Sequence, residues 1–148
     1  MKKLMFAAAI AASAMLAQAD VTWSWWLDKP NEKVDFSFGL ASRCASVETF
    51  ELSLLYNGSP VQNGVQFAFL GINDSTKAQV LQLAPWFNRG DDSCVQLGFI
   101  NTAKKNVFNL GFVNVANESK VQLGLLNFNK NGFLPVFPFI NLDKSLFD

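Results

Sequence analysis

Val-Gln-Leu-Gly-Phe-Ile-Asn (95–101), Phe-Asn-Leu-Gly-Phe-Val-Asn (108–114) and Val-Gln-Leu-Gly-Leu-Leu-Asn (121–127) are three near-copies of one unit. Gly98, Gly111 and Gly124 stand 13 residues apart, as do Asn101, Asn114 and Asn127. A short fixed period marks a repeat architecture, in which each unit packs against the next. Working outward, the closing Asn aligns Asn88, Asn101, Asn114, Asn127 and Asn141, so regular repeats span about 79–141. Two residues before it stand Trp86, Phe99, Phe112, Leu125 and Phe139; Leu97, Leu110 and Leu123 stand four before. Pro85 and Pro138 fill the Gly slot in the first and last units.

Thirteen extended residues reach about 43 Å at ~3.3 Å each, so a unit is not one straight strand in a domain this small. Helical repeats need more than about 30 residues. An all-β fold remains, either a β-solenoid-like stack of short strands or an antiparallel meander or small β-barrel. The Asn column favours the solenoid, because stacked amides hydrogen-bond from layer to layer. In that stack Leu and Phe are expected to fill a narrow core, with Gln96 and Gln122 facing out, and the mid-strand Gly lets backbones approach. Membrane barrel strands alternate for about 9–11 residues. Here Phe99-Ile100 and Leu125-Leu126 break the alternation, and Pro135 and Pro138 would remove donors inside lipid.

Upstream, Val34–Ala41, Phe50–Tyr56 and Val65–Leu70 alternate as half-buried strands, separated by the turn signals Asn57-Gly58-Ser59-Pro60 and Asn63-Gly64. Trp23 and Trp25 share one face of the opening segment and Trp26 takes the other. They are expected to cap the open end of the stack. With Trp86 they are also the candidate ligand contacts, for a sugar or a membrane interface.

The first 19 residues have the form of an export signal. Lys2 and Lys3 precede an apolar run, Leu4 to Leu16, and Ala17-Gln18-Ala19 predicts cleavage before Asp20. The domain is then 20–148. The 12 basic and 12 acidic residues balance, and loss of Lys2 and Lys3 leaves a slight acidic excess. No basic footprint for nucleic acid or anionic lipid follows. Cys44 and Cys94, several coils apart in a stack, are expected to be free buried thiols, beyond the ~7 Å that a disulfide bridges.

The chain has no His, which removes the usual general base and the commonest metal ligand. No nucleophile elbow, phosphate loop or zinc motif occurs. Asp91-Asp92 reads as a solvated turn, since Ca²⁺ wants about 6–8 oxygens. Asn57-Gly58-Ser59, Asn73-Asp74-Ser75 and Asn117-Glu118-Ser119 match glycosylation sequons and are read as turn chemistry. No Thr column lines a flat ice-binding face. No catalytic residue, metal or cofactor is assigned.

These units, with the ending Leu134-Pro135-Val136-Phe137-Pro138-Phe139-Ile140-Asn141, resemble the bacterial surface-repeat family. Its members string G-[LV]-Q-[LI]-G-[LF]-[VI]-N units after a signal peptide and close with L-P-x-x-P-[IF]-[IV]-N. The likeness covers Gly64 to Asn141. The chain departs from it at Pro85, and at Phe108-Asn109 in place of Val-Gln. The resemblance implies a surface or envelope location and no enzymatic activity.

The expectation is an exported, non-enzymatic envelope repeat protein, at the cell surface, outer membrane or periplasm, acting as a structural or interaction module. The alternatives are a small outer-membrane β-barrel and a secreted carbohydrate-binding module. The partner is unassigned; self-association through an uncapped end and glycan binding are the two candidates.

Overall fold

The computed structural model describes residues 19–147, so the export signal lies almost entirely outside the described residues. The chain is a β-solenoid of about seven turns. Its strands are β1 (Val21–Trp26), β2 (Lys33–Ser42), β3 (Ser46–Asn57), β4 (Val61–Gln62), β5 (Val65–Ala68), β6 (Ile72–Leu83), β7 (Phe87–Leu97), β8 (Ile100–Leu110), β9 (Val113–Asn129) and β10 (Val136–Leu142). Neighbouring strands from β1 to β9 are all parallel. A meander or closed barrel would need antiparallel neighbours, so that alternative falls away.

Like residues lie over like. Leu83, Leu97, Leu110 and Leu123 are paired in register, as are Asn73, Asn88, Asn101 and Asn114. The stack also starts well before residue 79. Trp23, Phe38, Leu52 and Phe67 continue the Leu column upstream, in coils longer than 13 residues.

One expectation is inverted: the core is polar and the apolar columns face out. Gln66, Gln82, Gln96 and Gln122 are fully buried, as are Asn57, Asn73, Asn88, Asn101, Asn114 and Asn127. Leu110, Phe99, Phe112 and Leu125 are exposed. The same inversion holds in β2 and β3, where Ser37, Glu51 and Ser53 point inward and Phe36, Phe38, Phe50 and Leu52 do not.

The cause is the narrowness of the coil. At its bends, backbone carbonyls turn into the lumen. Those of Leu97 and Leu110 each accept one N–H from the preceding coil at 3.1 Å, and their remaining lone pairs face inward, where a hydrocarbon core would offer no second donor. An amide has two N–H groups and serves both needs. The Asn101 Nδ2 donates to Asn114 Oδ1 in the next coil and to the Leu110 carbonyl across the lumen, each at 2.9 Å. The Asn88 amide does the same with Asn101 Oδ1 (2.9 Å) and the Leu97 carbonyl (2.7 Å). Gln82 donates to Gln66 Oε1 (2.9 Å) and to the Arg89 carbonyl (3.0 Å). Opposite these rungs the inward slot holds only small residues: Ser24, Ser53, Ala68 and Ala84, then Gly98, Gly111 and Gly124. No space is left for a Phe ring.

At the far end Pro138 falls in a register shift, Phe139 takes φ 68°, and β10 runs antiparallel to β9. Asn141 therefore lies opposite Gln122 and leaves the Asn column. Its Nδ2 donates instead to the Leu134 carbonyl (2.9 Å). The segment 134–141 thus ends the stack by reversing it.

Candidate functional site

Alternation along each strand, combined with exact layer spacing, turns the solenoid's outside into columns. The Leu column runs Trp23, Phe38, Leu52, Phe67, Leu83, Leu97, Leu110, Leu123. Two residues before it a second column runs Val21, Phe36, Phe50, Val65, Leu81, Val95, Phe108, Val121. Two residues after Leu97 and Leu110, and three after Leu83, comes a third, in which Trp86, Phe99 and Phe112 stack at 6.3 and 4.5 Å between ring centroids. Together they form one apolar side over the height of the molecule.

Between the Leu and Phe columns lies an open groove of about 710 Å³, running from Phe67 and Leu83 to Leu125 and Phe139. Its floor is backbone, because the residue between the two columns points inward and is Ala84, Gly98, Gly111 or Gly124. A Cβ on Gly111 would run into the Gly98 carbonyl oxygen and stand 2.6 Å from the Asn101 amide. The Gly slot thus sets both the closeness of the coils and the depth of the groove.

The opposite side carries the charge. Lys104 pairs with Asp91 at 2.7 Å and Lys105 with Glu118 at 3.2 Å, each across one coil step. Asp91 therefore belongs to an ion pair, and among the described residues no group of three His, Cys, Asp or Glu forms a metal site. These exposed pairs are worth little each, about 0–1 kcal/mol.

The four Trp are placed in two groups. Trp23 and Trp25 meet edge to face at 5.9 Å in β1, while Trp86 packs on Phe99 several coils away. Trp23, Trp25 and Trp26 are exposed, and the residues of β1 that face the core are Thr22 and Ser24. The Trp rings therefore do not cover the open end, because alternation sends them to the outside. Asn57 and Asn73 are buried ladder rungs rather than turn residues, and Asn117 is exposed. Cys44 is free and buried, Cys94 free and half-buried.

Glu51 is a functional group that the sequence did not single out. It is fully buried and accepts from Ser59 Oγ (2.6 Å) and Gln66 Nε2 (2.8 Å). It terminates the Gln ladder, since Gln96, Gln82 and Gln66 each donate toward the N-terminal end. Burial pushes its carboxyl above the ordinary range, and the Ser59 and Gln66 hydrogen bonds only partly oppose that. Burial likewise raises the Cys44 thiol, while the Ser24 hydroxyl lowers Asp28. Its place could have been found from the slot: residues 51, 66, 82, 96, 109 and 122 all bear Glu, Gln or Asn, more uniform than a solvated face requires.

No protein-family model matches this chain, and neither a curated protein nor a solved structure matches it.

Proposed function

We propose that this chain is an exported, non-enzymatic repeat protein of the bacterial envelope or surface, acting as a structural or interaction module. The observation that carries the interaction role is the apolar side. Contiguous exposed apolar surface over a whole face marks a site of association, whereas scattered exposed residues do not. The interior is occupied by amide ladders, so the apolar columns cannot be drawn inward without breaking those rungs. The address rests on Lys2-Lys3, the apolar run and Ala17-Gln18-Ala19.

The test is expression of the full sequence in a Gram-negative host, with mass spectrometry of the product and protease treatment of intact and lysed cells. A chain starting at Asp20 and recovered outside the cytoplasm supports the reading. An uncleaved cytoplasmic chain overturns it.

A second reading, glycan binding, is favoured by the exposure of Trp25 at 67% and of Trp26 at 63%, since exposed rings can stack on sugars. Glycan-array binding that disappears in Trp25→Ala supports it; a blank array removes it.

A further inference from the structure

We propose that the apolar side is a self-recognition face, on which two copies of this chain pack side by side with their stack axes parallel. The inference rests on the interaction role proposed above and names its partner. Its warrant is a match of spacings. The Leu97/Leu110 and Phe99/Phe112 columns are two residues apart across the bend that ends each strand, at most about 6.6 Å, and successive rungs are about 4.8 Å apart. The groove between the Leu97/Leu110 column and the Phe99/Phe112 column is therefore one side-chain row wide and several coils long. A ridge that fills it must carry a bulky apolar group every ~4.8 Å along a straight line. The Leu column of a second copy is such a ridge.

Symmetry then fixes the orientation. Two identical faces meet about a two-fold axis lying between them, and contacts are reciprocal. If that axis is perpendicular to the stack, every column lands on its own copy and the ridges collide. If it is parallel to the stack, the faces can be offset by half a column spacing. The Leu ridge of each copy then enters the groove of the other, like coil level with like coil, as in a dry zipper between sheets.

The area is sufficient. Eight rungs span about 34 Å and the face is about 16 Å wide. Two copies would bury about 1,100 Å², past the ~1,000 Å² expected of a specific interface. A lipid surface would also cover apolar columns, but it has no ridges to match a groove, and the near-neutral charge gives no pull toward anionic lipid.

The test starts with the product of the full sequence in plain buffer. Sedimentation equilibrium should give twice the protomer mass. Leu110→Glu and Phe112→Glu should each give a monomer with an unchanged β-type circular dichroism spectrum, while Lys105→Ala on the charged side stays dimeric. Leu110→Cys should be linked to its twin by a bis-maleimide of about 10 Å reach, the separation of packed sheets; the parent, with Cys44 and Cys94 alone, serves as the control. An antiparallel pair would hold the two Leu110 positions about 24 Å apart at ~4.8 Å per rung and would not link. A parent that is monomeric overturns the proposal, and so does a dimer indifferent to both Glu variants. A monomer that floats with phosphatidylcholine vesicles gives the face to lipid instead. A chain retained in the cytoplasm that still dimerises would sink the envelope reading and leave this one standing.

Discussion

At the scale of single residues, two inward glycines differ in how much room they have. Gly111 has no room for a side chain, because a Cβ would press on the Gly98 carbonyl oxygen and the Asn101 amide. Gly111→Ala must separate two coils or break a rung, and overpacking of this kind costs about 1–3 kcal/mol. Urea denaturation should show the midpoint falling accordingly. Gly90 lies in register with Ala103, and its own Cβ would stand 3.1 Å from Ser93 Cβ and 3.2 Å from Gln82 Oε1, close but short of a backbone clash. Gly90→Ala must push Ser93 and the laddered Gln82 Oε1 back by a few tenths of an ångström. The gain of about 0.4–1 kcal/mol through the unfolded chain partly offsets that strain, so its midpoint should fall by less than that of Gly111→Ala. Glu51 gives a pH prediction. Its folded carboxyl is raised by burial, so the native chain keeps a proton that the unfolded chain releases. The stability tied to that proton is fully present below the unfolded value, about 4.3, and is lost as pH rises through the folded one. Glu51→Gln can accept from Gln66 and donate to Ser59. Denaturant midpoints between pH 4 and 7 should fall in the parent by more than in the variant; equal slopes would mean that Glu51 is not buried as a carboxyl.

At the scale of the coil, alternation, period and stacking are legible in the sequence, and the direction of the inside is not. The Leu-Gly-Phe units show which residues share a face, and the Asn column shows that like lies over like. Alternation alone is symmetric between the two faces. Hydrophobicity usually breaks that symmetry, and for Leu97 and Gln96 it points the wrong way. What decides is the count of inward carbonyls against a lumen too narrow for rings, and both quantities belong to the closed coil rather than to any strand. The C-terminal reversal is equally hidden, since Asn141 keeps the repeat's spelling while β10 turns antiparallel. Interior packing is also a coil property. Ser93 accompanies Gln96 and Ser119 accompanies Gln122, but Asn106 accompanies Asn109. The shorter Asn109 does not reach Gln96 Oε1, which is left without a partner, as is Asn109 Nδ2, while Asn106 reaches over to fill the space and donates to Asn109 Oδ1. Asn109→Gln alone should therefore overpack and lower stability. Asn109→Gln with Asn106→Ser should restore a continuous ladder and exceed the parent by about 1 kcal/mol, the usual net worth of a hydrogen bond. A double variant no better than the single one would show that the two positions are not coupled.

At the scale of the whole molecule, the inverted arrangement has a calorimetric consequence. The heat capacity of unfolding comes from exposing apolar surface, about 0.45 cal/K/mol per Å², against about −0.26 for polar surface. Among the described residues the buried apolar ones are few and mostly small: Val34, Val47, Cys44 and five alanines. The Leu, Phe and Trp side chains are exposed or only half-buried before unfolding begins, and the fully buried groups that unfolding exposes are mostly amides and hydroxyls. A protein with an ordinary core gives about 12–15 cal/mol/K per residue; this one should fall well below that range. The measurement belongs on a monomer, because pairing of two apolar sides would bury the columns and restore part of the missing heat capacity. Scanning calorimetry of Phe112→Glu should thus give a low per-residue value. The parent, if dimeric, should give a higher one, with a melting temperature that rises with concentration as mass action requires. An ordinary value in the monomer would mean that Leu97, Leu110 and their stacked partners are sheltered within a single chain. The amide ladders could not then be the core, and the self-recognition face would lose its physical basis.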